Sequence, residues 1–372
     1  MRSWTLALMA TAVSAATPRY LIYFDEWHTE SLPSKEETAG INYITTAFAK
    51  SDIFNTGTDY KPFMPVADVR KLFDDGAKVC MAVGGWGDTK GFGVAAATEE
   101  SRKTFAKNVA TALDNLGYDC VDIDWEYPGG NGEDYKQITN DKKTSEIETY
   151  PQLLSEIKAA IGTKELSIAT PGREPDYIAY TAEQVPKISE AVDFVNVMAY
   201  DLMNRRDNQT LHMSGLQDSK QTVQRYLDLG MPASKINLGL PFYAKFFQTQ
   251  GECKQAVGCP TVEMEDAKGG DTGKSGAVTF SKAEASNPGL KQALEKGKLD
   301  AEQGGMWWWD PATKNFWTWD SPELISRKIE EIVKPMGLGG IFAWSLGEDS
   351  NGYSRVKAMR EGFQSMSKTS QC

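Results

Sequence analysis

Histidine is nearly absent from this chain: there are two in 372 residues, His28 and His212, and the five cysteines fall at no zinc-ligand spacing. The common structural zinc modules are thereby excluded, and neither a metal nor another cofactor is expected. Basic charge is also scarce. Forty Lys and Arg face 51 Asp and Glu, a formal net charge of -11. Such a field repels phosphate backbones and anionic lipid, so neither nucleic acid nor a membrane is an expected partner. A neutral ligand is. Beyond the N-terminus no stretch approaches the ~18 apolar residues that a membrane span needs. Internal repeats, Pro/Thr linkers and an appended binding module are missing too, and a monomer is the expectation.

What is present begins with an export pattern. Met1-Arg2 gives a positive start, Leu6 to Val13 an apolar run, and Val13-Ser14-Ala15 a small-residue cleavage site. Residues 1–16 are therefore expected to be a signal peptide, and the rest a secreted, extracellular chain. The cysteines suit an oxidising destination. Cys253 and Cys259 lie six apart in a polar, Gly-rich stretch and are expected to form a local disulfide, whereas Cys372 is the odd one. Asn208-Gln209-Thr210 is a glycosylation acceptor sequence, usable after export.

Short apolar runs alternate with amphipathic stretches along the chain. Strands are expected at Tyr20–Phe24, Ile41–Ala49, Ala77–Val83, Tyr118–Trp125, Glu165–Thr170, Ala191–Ala199, Lys235–Leu240 and Gly339–Trp344. Being apolar on both faces, they read as parallel strands covered by helices. Helical periodicity fills the intervals at Val66–Asp74, Glu99–Leu116, Ile147–Ile161, Ala182–Ala191, Ser219–Leu229, Pro322–Val333 and Ser354–Met366. Eight such units predict an α/β fold, a closed (β/α)8 TIM barrel. The alternative, an open doubly wound sheet, usually shows a Gly-rich phosphate turn after its first strand, and none follows Phe24. One interval is too long for a connection. Residues 245–318, with Val278-Thr279-Phe280 and a helical Lys282–Lys296, predict a small α+β subdomain inserted after strand seven. The barrel would then comprise 17–244 and 319–372.

One strand is acidic where its neighbours are not. In Tyr118–Gly129, Asp122, Asp124 and Glu126 fall on one face, about 7 Å apart at each step, while Val121, Ile123 and Trp125 fall on the other. Pro128-Gly129-Gly130 ends the strand, which puts Glu126 at its C-terminal mouth, where barrel enzymes place their chemistry. Carboxylates lined up toward a barrel interior repel one another and lose solvation. Their titrations must couple, and at least one should hold a proton near neutral pH. Cleavage of a glycosidic bond needs such an acid. A solvated acidic edge, or a Mg²⁺ or Ca²⁺ site, is the rival reading. A cation site would draw its carboxylates from several loops, and a solvated edge does not explain the strict apolar interleaving.

Asp119, Asp122, Asp124 and Glu126 match D-x-x-D-x-D-x-E, and further motifs follow in order. Tyr23-Phe24 with Trp27 is a first-strand aromatic motif; Lys78 to Gly85, then Trp86, resembles K-x-x-x-S-x-G-G. Met198-Ala199-Tyr200-Asp201 is similar to M-x-Y-D, Gly239 to Tyr243 to G-x-P-x-Y, and Gly340 to Trp344 to the last strand with its tryptophan. The chain thus resembles the family 18 glycoside hydrolases, the chitinase family, over nearly all of its length.

That resemblance implies hydrolysis of chitin or N-acetylglucosamine oligomers with retention, assisted by the substrate rather than by a second carboxylate. Glu126 would protonate the glycosidic oxygen, while the substrate's acetamido oxygen attacks the anomeric carbon. Asp124 would orient the acetamido nitrogen, Asp122 would share its proton, and Tyr200, helped by Asp201, would donate to the acetamido group. Trp344 would floor the site and Tyr23 would hold Asp122. Met198, Tyr243, Trp86, Gly85, Trp27 and Tyr127 complete the expected sugar-binding set, with Trp307-Trp308-Trp309 as further candidate platforms. Cleavage of N-glycan cores, or a lectin on the same barrel, are the alternatives.

Three departures stand out. The strand-three serine is Ala82, so a hydroxyl contact to Asp122 is expected to be missing. The arginine following the Tyr243 position is replaced through Ala244-Lys245. Position 120, usually glycine, is Cys120; it shares inward parity with Cys80 on the adjacent strand. Bonding is within reach of neighbouring strands, but two packed thiols are the expectation.

Overall fold

The computed structural model describes residues 17–369; the expected export segment 1–16 and Cys372 lie outside them. In chain order the strands are β1 (Arg19–Asp25), β2 (Tyr43–Ala49), β3 (Lys78–Gly84), β4 (Cys120–Asp124), β5 (Glu165–Thr170), β6 (Phe194–Val197), β7 (Ile236–Pro241), β8 (Tyr243–Gln248), β9 (Ser275–Thr279), β10 (Lys298–Asp300), β11 (Gly305–Asp310), β12 (Asn315–Trp319) and β13 (Gly340–Trp344). Eight of them close a parallel barrel in the order β1-β13-β7-β6-β5-β4-β3-β2. The expected (β/α)8 fold is the one observed.

Local chemistry explains the sheath of helices. The helix Glu99–Leu116 starts on Thr98, whose hydroxyl accepts from the Ser101 amide in a capping box, and stops at Gly117 in the left-handed conformation. The outward residues of β4, and Trp125 just past its end, join the core between barrel and helices. Val121, Ile123 and Trp125 are buried, and Trp125 stacks on Phe92 at 5.3 Å and meets Tyr150 edge-on at 5.5 Å. Each such large side chain contributes on the order of 1.5–3 kcal/mol of burial.

Inside the barrel a second, smaller core gathers Leu21, Tyr23, Ala82, Met198, Tyr200, Tyr243 and Phe342. Cys80 and Cys120 belong to this interior, and here the expectation of two free thiols fails: they form a disulfide. The two residues are register partners on β3 and β4 with Cα atoms 4.4 Å apart, so inward parity places each sulfur against the other. Cys253 and Cys259 are bonded as expected.

Between β7 and β13 the chain builds an antiparallel sheet ordered β10-β11-β12-β8-β9, backed by the helix Pro288–Lys296. The tryptophan run proves to be β11. Trp307 and Trp309 pack on Phe247, Phe316 and the Cys253–Cys259 loop, while Trp308 packs with Trp317 and Leu290 on the opposite face. None of the three lines the cleft described below, because both faces of β11 are consumed by packing.

Candidate active site

At the C-terminal ends of the barrel strands lies a cleft of about 470 Å³. Of the residues expected from the sequence, Tyr23, Trp27, Trp86, Asp124, Glu126, Tyr127, Met198, Tyr200, Asp201, Tyr243 and Trp344 all line it. Two do not. Asp122 is fully buried beneath, and Gly85 gives way to Gly84 in the lining. Gly85 instead makes room: at φ +87°, a Cβ there would fall 2.6 Å from the Phe48 ring. That ring stacks on Trp344 at 5.5 Å and 14°, building the apolar floor from two aromatics rather than one.

The acidic line is graded from below upward. Asp122 is held by three donors: Tyr23 Oη to Oδ2 at 2.6 Å, Ser167 Oγ to Oδ1 at 2.6 Å and Asn196 Nδ2 to Oδ1 at 3.0 Å. Burial pushes its carboxyl up and these bonds pull it back toward ionisation. Ser167 answers the loss at Ala82. Asp122 is flanked in register by Ala82 on β3 and Ser167 on β5, so the hydroxyl arrives from the other neighbouring strand.

Asp124 is different. Its Oδ1 is buried without a hydrogen-bond partner, and burial, then the charges of Glu126 and Asp122, raise its carboxyl well above the usual range. A buried oxygen left open in this way suits a ligand N–H. Glu126, half-buried at the mouth, is pushed up to about 7 by burial and by Asp201 and Asp176, against the pull of a hydrogen bond with Tyr127. A carboxyl poised near neutrality can give a proton and take it back. Burial and the surrounding acids keep Tyr200 a neutral phenol, able to donate.

The rim fixes orientation. Tyr243 Oη donates to Asp201 Oδ1 at 2.8 Å, and Lys245 Nζ pairs with the same oxygen at 2.8 Å. Lys245 thus supplies the cation that the missing arginine left open. Trp344 Nε1 donates to Glu348 at 3.1 Å. Asp25 at the end of β1 accepts from the amides of Trp27 and His28, which anchors the turn presenting Trp27. Trp27 is 58% exposed and Trp86 45%, so both rings stay open to the cleft they line. Above the cleft, loop 131–138 meets loop 264–271 of the inserted sheet through Lys136 and Glu265 at 3.0 Å. Arg205 holds the same carboxylate at 3.1 Å.

Ser167, Asn196, Phe48, Asp176 and Lys245 were not anticipated. Asn196 carried a signal, being the one polar residue in the apolar strand β6, whereas Ser167 shares β5 with Glu165 and Thr170. Asp176 lies in a connection, where periodicity says nothing.

Comparison with known proteins adds an independent line. The model of glycosyl hydrolases family 18 matches residues 19–349. Chitinase 1 of Aphanocladium album is 29% identical over 306 residues, covering 78% of this chain and 67% of its own. Chitotriosidase-1 of Mus musculus is 26% identical over 365 residues, covering 93% and 75%. A plant class V chitinase mutant from Cycas revoluta, solved in complex with (GlcNAc)3, shares the fold with a TM-score of 0.72 at 20% identity, covering 93% of this chain and 99% of that one.

Proposed function

The chain belongs to glycosyl hydrolase family 18, and on that premise we propose that it is a secreted chitinase, cleaving β-1,4 links between N-acetylglucosamine units by a retaining, substrate-assisted route. One observation carries the mechanism: Asp124 keeps a buried oxygen open between a triply bonded Asp122 and a Glu126 poised near neutrality. Glu126 gives its proton to the glycosidic oxygen as the bond to the anomeric carbon breaks. The acetamido oxygen closes on that carbon, and Asp124 accepts the acetamido N–H, offsetting the positive charge of the oxazolinium. Water then adds to the anomeric carbon from the vacated face, losing its proton to Glu126 as the bond to the acetamido oxygen breaks, so the acid is restored and configuration retained.

Supporting the substrate class are the paired floor of Phe48 and Trp344, the exposed Trp27 and Trp86, and relatives named as chitinases. Two disulfides support export. Glu126→Gln is expected to abolish release of N-acetylglucosamine oligomers from chitin while the circular dichroism spectrum stays that of the folded chain. Retained turnover rejects the assignment.

A further inference from the structure

Beneath the acids, polar side chains stand in file through an otherwise apolar barrel. Asn237 on β7 and Asn196 on β6 are register neighbours, both wholly buried. On the far side of Asn237 the register runs through Gly340 of β13 to Arg19 of β1. Arg19 reaches across β13 because position 340 has no side chain: a Cβ there would sit 2.7 Å from Asn237 Oδ1 and 2.8 Å from the Arg19 Cβ. Arg19 Nε donates to Asn237 Oδ1 at 2.8 Å, Asn237 Nδ2 to Asn196 Oδ1 at 2.9 Å, and Asn196 Nδ2 to Asp122 Oδ1 at 3.0 Å.

A guanidinium can only donate. It therefore forces the Asn237 carbonyl toward itself and the amide nitrogen away, and Asn196 must follow in the same sense. The far end of the file is an N–H on Asp122. Were both carboxamides turned over, a carbonyl oxygen would face Asp122 and suit only the protonated acid.

We propose that Arg19 is a positioning residue for the acidic centre: acting through Asn237 and Asn196, it fixes an amide donor on Asp122 and so keeps the aspartate pair from taking up a second proton. The proposal rests on the family 18 mechanism above. The titratable groups facing Asp122 are Tyr23 from β1, Asp124 on its own strand and, farther off, Tyr150 and Tyr180 from the helical layer; the tyrosines are all shifted upward and stay neutral. Around Arg19 stand Tyr43, Glu165 and Asp193, with Glu165 already paired to Lys78. Activity on the acid side is lost when the aspartate pair takes up its second proton. A carbonyl facing Asp122 lets it hold that proton to higher pH.

The test is the pH profile of kcat and KM on a defined N-acetylglucosamine oligomer for the wild type, Arg19→Met and Asn237→Asp. Asn237→Asp keeps the side-chain shape and the contact with Arg19 but offers only acceptors, which reverses Asn196. Both variants are expected to lower kcat about tenfold with KM nearly unchanged, and to move the acid limb of kcat to higher pH. An acid limb that stays in place, with or without a loss of kcat, overturns the proposal. If Arg19→Met does not fold, the shape-preserving Asn237→Asp decides alone. Failure of the functional reading would look different, since the wild type itself would not turn over the oligomer.

Discussion

Strands β4 and β11 are the two most unusual in the molecule, one lined with carboxylates and the other with three consecutive tryptophans. They use their residues in opposite ways. In β4 the polar residues face the barrel interior and the apolar ones are spent on packing, so the chemistry falls on one face. In β11 both faces pack, one on the Cys253–Cys259 loop and one on the helix Pro288–Lys296, and nothing remains for the cleft. Access to the cleft therefore follows from which layer a strand face meets, not from residue type. Trp27 and Trp86, placed singly on loops at the mouth, keep the exposure that Trp307 loses.

The sharpest way to separate the faces of β4 is to cut each in turn. Trp125→Ala removes a fully buried ring that contacts both Phe92 and Tyr150, and should cost about 3–5 kcal/mol of unfolding free energy, measured by denaturant titration. The fraction still folded should keep a near-normal kcat. Asp124→Asn works the other way. It should lower kcat by about 10²–10³-fold, from loss of charge at the developing cation, with the denaturant midpoint little changed. If Trp125→Ala proved catalytic and Asp124→Asn only structural, the two-faced account of β4 would fall.

A smaller effect comes from the proton on Glu126. Its carboxyl is raised to about 7, so the folded state favours the neutral acid. The sign follows: this contribution to stability is complete below the ordinary carboxyl range, near 4.5, and is lost as pH climbs through about 7. The Tm of the wild type should therefore drop relative to that of Glu126→Gln between pH 5 and pH 8. The alkaline limb of kcat should fall near the same value. Asp176→Asn, removing a nearby charge that pushes Glu126 up, should move that limb to lower pH. An unmoved limb would leave burial and Asp201 as the causes of the shift.

Much of the barrel was legible because period-two and period-3.6 patterns are local. The strand expected at Glu165–Thr170 has those bounds, and the acidic strand is shorter than expected by its two ends, Cys120–Asp124 against Tyr118–Trp125. What stayed hidden depends on register between strands. Asn196 could be seen as a polar intruder, but that it and Ser167 both reach Asp122 follows only once β4, β5 and β6 are aligned. The Cys80–Cys120 bond was hidden for the same reason, parity being visible and contact not. Phe48 and Asp176 act from the strand end and the connecting loop, where no periodicity marks them.

The gentlest probe returns to β11. Trp308 is half-buried, covered on one side by Trp317 and Leu290 and on the other by the Lys296 ammonium 5.5 Å from its ring. Trp308→Ala deletes a ring that is only partly removed from water, so its cost should stay near 1 kcal/mol, well below that of Trp125→Ala. If the tryptophan run serves packing alone, KM for short oligomers and binding to insoluble chitin should both match the wild type. Weakened binding to the insoluble polymer with unchanged oligomer kinetics would make β11 an outer platform for the chain, and would erase the contrast with β4.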